Sequence, residues 1–255
     1  LFPLKNRIFL SIQRNVAENA DIITVNSQAA FNELISRFPT ARNKIVKIPM
    51  GIDTSYFKPK NVKSKFTKYG NNKIILFVGR LNEQKGVDYL IKSMPKVLQR
   101  INNTKLLIIG EGNYKKKLEN LAKELNIEKS VEFLGSKRNN ELADYYNLAD
   151  AVVLPSVTSD MGTESFGLVL IEAMACRKCV IGSSSGGIKD IIKDGANGII
   201  FLEKNTDELA DKIIKVTEDK KLRNKLEKNA LKHSKNYDWR IISKKFLSLY
   251  DKLLK

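Results

Sequence analysis

Residues 73–79, Lys73-Ile74-Ile75-Leu76-Phe77-Val78-Gly79, decide the fold. They form a continuous apolar run closed by a glycine, with no alternation of polar and apolar side chains. Such a run reads as a strand covered on both faces, the condition of a parallel sheet. Directly after it, residues 86–100 set Val87, Leu90, Ile91, Met94, Val97 and Leu98 at helical spacing. The same alternation repeats downstream. Strands are predicted at 105–109, 130–134, 151–154, 179–182 and 198–201. Helices are predicted at 113–125, 140–148, 165–176, 207–216 and 221–233. This order predicts an α/β fold, a doubly wound parallel sheet with helices on both faces.

Towards the N-terminus the pattern predicts a helix over 4–16, a strand over 21–25, a helix over 28–38 and a strand over 44–48. Two strands are too few for an independent α/β unit. Pro49-Met50-Gly51-Ile52-Asp53 and Phe57-Lys58-Pro59 follow, then a polar stretch to residue 72, which reads as a linker. At the other end, residues 238–255 predict an amphipathic helix with Trp239, Ile242, Phe246, Leu249 and Leu253 on one stripe.

The bulk properties set limits. A chain of 255 residues holds one large domain or two small ones, and 42% hydrophobic content excludes a disordered polymer. No run approaches the ~18 apolar residues of a membrane span. The first twenty residues carry Lys5, Arg7 and Arg14 and no compact apolar core of a signal peptide, so the expected setting is cytoplasmic. The chain opens on Leu1 instead of Met; it is expected to be processed or to follow further sequence. Forty-five basic against 28 acidic residues leave a net charge of +17. A solvated lysine surface, weak attraction to anionic lipid and nucleic-acid binding all fit that balance. No aromatic-basic motif and no helix-turn-helix signature accompanies it, so no nucleic-acid partner is expected. Cys176 and Cys179 spell C-x-x-C. A structural zinc needs four ligands, and the one histidine, His233, is distant. Lying between a predicted helix and strand, the two cysteines read as small core residues.

In an open α/β sheet ligands gather at the carboxyl ends of the strands, so the loops there carry the chemistry. The first is Gly79-Arg80-Leu81-Asn82-Glu83-Gln84-Lys85-Gly86. It is neither G-x-G-x-x-G nor a Walker loop. Its guanidinium and ammonium suit a diphosphate, and equally suit solvent. The second is Gly110-Glu111-Gly112, either a plain tight turn or a close backbone approach to a ligand. The third runs from Pro155 to Glu164-Ser165-Phe166-Gly167-Leu168, with Glu172 further on. A helix starting near Ser165 would aim free backbone N–H groups at a phosphate. Eight residues of helix separate Glu164 and Glu172 by about 12 Å. That exceeds the roughly 5–9.5 Å of a glycosidase pair, so the two carboxylates are expected to have separate binding roles. Glu172 sits in an otherwise apolar helix, where a carboxylate needs a partner.

Val78-Gly79-Arg80…Lys85-Gly86, Gly110-Glu111-Gly112, Phe133-Leu134-Gly135, Pro155-Ser156, Glu164-Ser165-Phe166-Gly167-Leu168…Glu172 and Gly186-Gly187…Asp194-Gly195 occur in order. Over about residues 21–250 the chain resembles the C-terminal, donor-binding domain of the retaining GT-B glycosyltransferases of family 4. The resemblance implies a GT-B-type Rossmann-like sheet plus the remnant of a second Rossmann-like domain. It divides the chain into 1–58 (acceptor-domain remnant and linker), 59–237 (donor domain) and 238–255 (a helix crossing back). It implies that Arg80 and Lys85 bind the diphosphate and stabilise the leaving nucleoside diphosphate, and that Glu164 contacts the transferred sugar. Ser165 and the backbone of Phe166, Gly167 and Leu168 would meet sugar and phosphate. Gly79, Gly110 and Glu111 would border the donor, Lys137 the base, and Glu172 the ribose. The implied donor is a UDP- or GDP-linked hexose or N-acetylhexosamine, and no metal is expected. The implied acceptor is lipid-linked, polysaccharide or a small molecule, with peripheral association at an anionic membrane. Arg177, Cys179, Lys189-Asp190 and Met50 depart from the family's pattern. A complete acceptor domain is implied upstream, and its histidine cannot be His233. A nicotinamide-dependent oxidoreductase would need a G-x-G-x-x-G that no strand here carries. A non-catalytic nucleotide-binding or basic nucleic-acid-binding domain would rest on charge alone.

Overall fold

The computed structural model describes residues 2–160 and 162–254. Leu1 and Lys255, the outer ends of two predicted segments, and Met161, inside the loop 155–163, lie outside the described residues. The chain opens with α1 (Phe2–Asn19), β1 (Ile23–Val25), α2 (Gln28–Arg37) and β2 (Ile45–Lys47). The main unit follows: β3 (Lys73–Val78), α3 (Val87–Arg100), β4 (Thr104–Ile109), α4 (Lys115–Glu124), β5 (Val131–Phe133) and α5 (Asn139–Leu148). It continues through β6 (Ala151–Leu154), α6 (Leu168–Ala175), β7 (Cys179–Ser183), α7 (Ile188–Ile191) and β8 (Ile199–Phe201). Helices α8 (Thr206–Glu218), α9 (Lys220–Ser234) and α10 (Trp239–Leu253) close the chain.

All six strands of the main sheet are parallel, in the order β5-β4-β3-β6-β7-β8. Strand β3 is buried from Ile74 to Val78, as an apolar run without alternation requires. Helix α3 presents Val87, Leu90, Ile91, Met94 and Val97 to the core and packs beside α4 and α8. Helix α6 packs beside α5 and α9. The order reverses between β3 and β6, a topological switch point where an open sheet leaves a crevice beyond its strand ends.

Strands β1 and β2 form a separate parallel pair. Ala17, Phe38 and Ala41 make a second, small core there. The segment between the units is no loose linker. Phe57 and Tyr69 are buried in the main core and Val62 is buried too, because scattered apolar residues fold this polar stretch onto the sheet. The chain returns through Ile52, whose N–H donates to the Tyr237 carbonyl (2.8 Å) and whose carbonyl accepts from Trp239 N–H (3.0 Å). Asp238 caps α10 through Arg240 N–H (2.8 Å) and accepts from the Thr54 hydroxyl. Helix α10 then runs beside β2, the two lining one groove.

Two predicted elements need correction. The helix expected from Ser165 begins at Leu168, capped by Gly167 in the left-handed region (φ 94°). A left-handed residue cannot continue a right-handed helix, so the turn at Gly167 sets the start, with the buried Phe166 just before it. Helix α7 carries no four-residue signal in the sequence and was not expected. No described helix is long and apolar enough to cross a membrane.

Candidate functional site at the strand ends

The crevice at β3 and β6 is built by three loops. After β3 the chain passes Gly79 and Arg80, then makes a 3-10 turn over Glu83–Lys85 that the Asn82 side chain caps. Gly86 follows at φ 60°. A Cβ on Gly86 would stand 2.1 Å from the Pro155 carbonyl oxygen, so only glycine lets this loop lie against the loop after β6. Gln84 joins the same two loops. Its side-chain amide donates to the Thr163 carbonyl (2.6 Å), and its own carbonyl accepts from Val157 N–H (2.8 Å).

This packing brings Lys85 and Glu164 together. The ammonium reaches Glu164 Oε2 at 2.6 Å, and the buried Ser156 hydroxyl donates to the same oxygen at 2.6 Å. Glu164 is 6% exposed, so its charge is matched inside the protein, as a buried carboxylate must be. The Glu164 carbonyl accepts from Gly187 N–H (2.8 Å), and the Thr163 hydroxyl bonds that of Ser185 (2.8 Å), so the turn after β7 braces this segment. On the outer side Glu203 accepts from Thr158 N–H at 2.6 Å. Ser156 stands among the residues that carry the resemblance, but the sequence gives it no role; its bond to Glu164 appears only once the loop after β6 is folded.

Arg80 is exposed and makes no hydrogen bond or ion pair among the described residues. It borders a cavity of about 220 Å³ with Gly79, Gly110, Glu111, Lys137 and Leu142. A Cβ on Gly110 would meet the Gly79 carbonyl oxygen at 1.8 Å, so the close approach is to the neighbouring loop. Glu111 pairs with Lys115 at 3.1 Å. Lys137 is half-buried at the cavity wall.

Beyond Glu164 the predicted residues separate. Ser165 is exposed and lines a second cavity, of about 410 Å³, with Val25, Asn26, Pro49, Met50 and Trp239. It faces the gap between the two sheets. Phe166 is buried against Tyr237, ring centroids 6.1 Å apart. Leu168 and Val169 begin α6, and their N–H groups, at its first two positions, have no helical acceptor. That end carries a partial positive charge towards the crevice.

Glu172 lies one turn from the end of α6 and accepts from the Tyr146 hydroxyl of α5 at 2.7 Å. Burial pushes its carboxyl up to about 7, against the hydroxyl, which pulls it down. Glu164 and Glu172 thus have entirely different partners within the protein. Tyr146 is fully buried; from sequence it is one more apolar-face residue of α5.

Cys176 and Cys179 are buried free thiols, each pushed up to about 12 by burial. They are core residues. No cluster of three or more His, Cys, Asp or Glu suited to a metal occurs among the described residues. His233 lies far from the crevice in sequence and bonds Tyr237 at 3.3 Å.

Known proteins resemble this chain in sequence and in fold. An uncharacterized glycosyltransferase of Methanocaldococcus jannaschii is 38% identical over 241 residues, 91% of this chain and 60% of the relative. A D-inositol 3-phosphate glycosyltransferase of Corynebacterium aurimucosum is 27% identical, covering 93% and 58%. The chain therefore spans about three fifths of the length of these curated relatives. Among solved structures, HepE of Anabaena in complex with UDP-glucose superposes with a TM-score of 0.87 at 25% identity, covering 95% of this chain and 67% of that one. Sucrose-phosphate synthase from Thermosynechococcus elongatus gives 0.85 at 28%, covering 96% and 61%. The six-stranded parallel sheet is that of the GT-B glycosyltransferases. The family model for glycosyl transferases group 1 matches residues 59–233, more than half of the chain and all of the main sheet, so the chain belongs to that family.

Proposed function

We propose that this chain supplies the donor site of a retaining glycosyltransferase of family 4. The observation that carries the reading is the juxtaposition at the switch point. An unpaired Arg80, the Lys85–Glu164 pair and the start of α6 converge where β3 and β6 end. The donor is a nucleoside-diphosphate sugar, UDP- or GDP-linked, bearing a hexose or N-acetylhexosamine. The UDP-glucose bound by the structurally similar HepE supports that class.

In this reading the diphosphate lies over Arg80 and the N–H groups of Leu168 and Val169. As the glycosidic bond to phosphate breaks, negative charge grows on the leaving oxygen. The Lys85 ammonium, held by Glu164, and the Arg80 guanidinium, which becomes fixed on binding, face that charge. Their positive charge does the work for which a divalent metal would otherwise serve, so the reading requires none. Glu164, held by Lys85 and Ser156, keeps lone pairs for sugar hydroxyls. Glu172 accepts the ribose diol, and Lys137 borders the base. Gly79, Gly110 and Glu111 shape the wall. Residues 59–237 form the donor domain, 1–58 the end of the acceptor domain, and 238–255 the helix returning to it. The acceptor is a lipid-linked sugar, a polysaccharide or a small molecule. The +17 charge favours a cytoplasmic enzyme resting on anionic lipid, with no nucleic-acid partner.

Titration calorimetry with UDP, GDP and their glucose, mannose and N-acetylglucosamine conjugates tests the reading. One base is expected to bind, and Arg80→Ala to weaken it by about tenfold or more, the scale of a charge-assisted hydrogen bond. Absence of binding by every one of these ligands overturns it.

A further inference from the structure

Tyr146 is a residue for which neither sequence spacing nor resemblance provides a role. Its ring is fully buried, and its hydroxyl donates to Glu172 Oε2 at 2.7 Å. That is the only hydrogen bond of the hydroxyl among the described residues. A buried phenol needs a partner, and burial raises its pKa well above the ordinary value, so it remains a proton donor at every physiological pH. The ring is fixed from behind. Phe57 of the connecting segment meets it edge-on at 5.9 Å. The next residue, Asn147, grips that segment twice, accepting from Lys60 N–H at 2.8 Å and donating to the Lys58 carbonyl at 2.9 Å. The ring that carries the hydroxyl is thus held by α5 and by the chain between the two units.

The other oxygen of Glu172 is left open. Oε1 makes no hydrogen bond among the described residues, and it is not among the sealed, unsatisfied polar atoms. One oxygen is held, the other remains reachable. A glutamate free to rotate on a helix would have to be fixed on binding, at the cost of its side-chain freedom. A carboxylate already fixed at one oxygen presents the second in a single direction. A vicinal diol, with two hydroxyl donors, is the group suited to it.

We propose that Tyr146 is a positioning residue for the nucleotide, holding Glu172 through Oε2 so that Oε1 accepts the 2′- and 3′-hydroxyls of the ribose. The proposal rests on the donor-site reading above. It makes ribose recognition depend on a side chain that does not touch the ligand. It also links that recognition to the segment 57–60.

The test compares UDP and GDP with their 2′-deoxy counterparts by calorimetry on the full chain. The wild type is expected to prefer the ribonucleotide by about tenfold or more, a hydrogen bond to a charged group. Tyr146→Phe removes one oxygen, keeps the ring, and is expected to reduce that preference to about twofold while deoxynucleotide affinity stays nearly unchanged. Glu172→Gln, which keeps the shape and the Tyr146 contact, is expected to reduce it as well. A Tyr146→Phe chain that keeps the full preference overturns the proposal, even if its melting temperature falls, because the hydroxyl then serves packing alone. Nucleotide binding by the wild type with no ribose preference also overturns it. A wild type that binds no nucleotide removes the donor-site reading itself.

Discussion

At the scale of single residues, the carboxylates of the crevice differ in how each is stabilised. Glu164 is matched by an ammonium and a hydroxyl at 2.6 Å each, whereas Glu172 has one neutral hydroxyl and is pushed up to about 7 by burial. The folded value of Glu172 lies above its ordinary 4.5. The folded chain therefore holds a proton that the unfolded chain releases between about 4.5 and 7. The stability linked to that proton is complete below 4.5 and is lost as pH rises through 7. Glu172→Gln is expected to lose less stability than the wild type between pH 5 and pH 8 in urea unfolding. Equal losses would show that the carboxyl is not held up by burial. That Glu172 needs a partner is legible in the sequence, since a carboxylate in an apolar helix demands one. The partner itself is not, because nothing along the chain marks Tyr146 as facing residue 172 across two helices.

At the scale of elements, the strands were readable because parallel strands buried on both faces leave an unbroken apolar run, and helix α3 because its stripe is regular. Elements set by tertiary contact were not. The start of α6 falls at Leu168, after the left-handed turn at Gly167, and α7 is too short to carry a period. The end of α6 shows how a departure is tolerated. Arg177 stands at φ 58°, where the resemblance expects glycine, and a pair of bonds from Arg177 N–H to Met174 (2.9 Å) and Lys178 N–H to Ala173 (3.0 Å) closes the helix around it. The loops after β3 and β6 act as one element, joined by Gln84 and by the contact that Gly86 permits. Gly86→Ala is expected to force them apart, lowering the melting temperature by about 4 °C or more and weakening nucleotide affinity together with it. An unchanged melting temperature would mean that the two loops are not packed as described.

At the scale of the whole molecule, two parallel sheets face a gap lined by Val25, Pro49, Met50, Ser165 and Trp239, and α10 runs from one unit alongside the other. Sequence alone indicated that the first two strands were incomplete, and did not indicate that the segment to residue 72 folds onto the main core. The molecule also holds a larger cleft, of about 1040 Å³, at the amino ends of the strands. Lys60, Lys63, Lys73, Lys178 and Arg223 line it, with Asp150 and Glu227 among them. By size and charge it rivals the crevice as a place for an anion. The topology, which leaves the ligand crevice at the carboxyl ends, and the convergence of Arg80, Lys85 and the start of α6 there favour the crevice.

A crystal structure of the chain soaked with UDP and GDP tests that preference directly. The expected result is a diphosphate against Arg80 and the first turn of α6, with the base in the cavity bordered by Lys137 and the ribose at Glu172. A nucleotide seated instead between Lys73, Lys178 and Arg223 at the amino ends of the strands would contradict it.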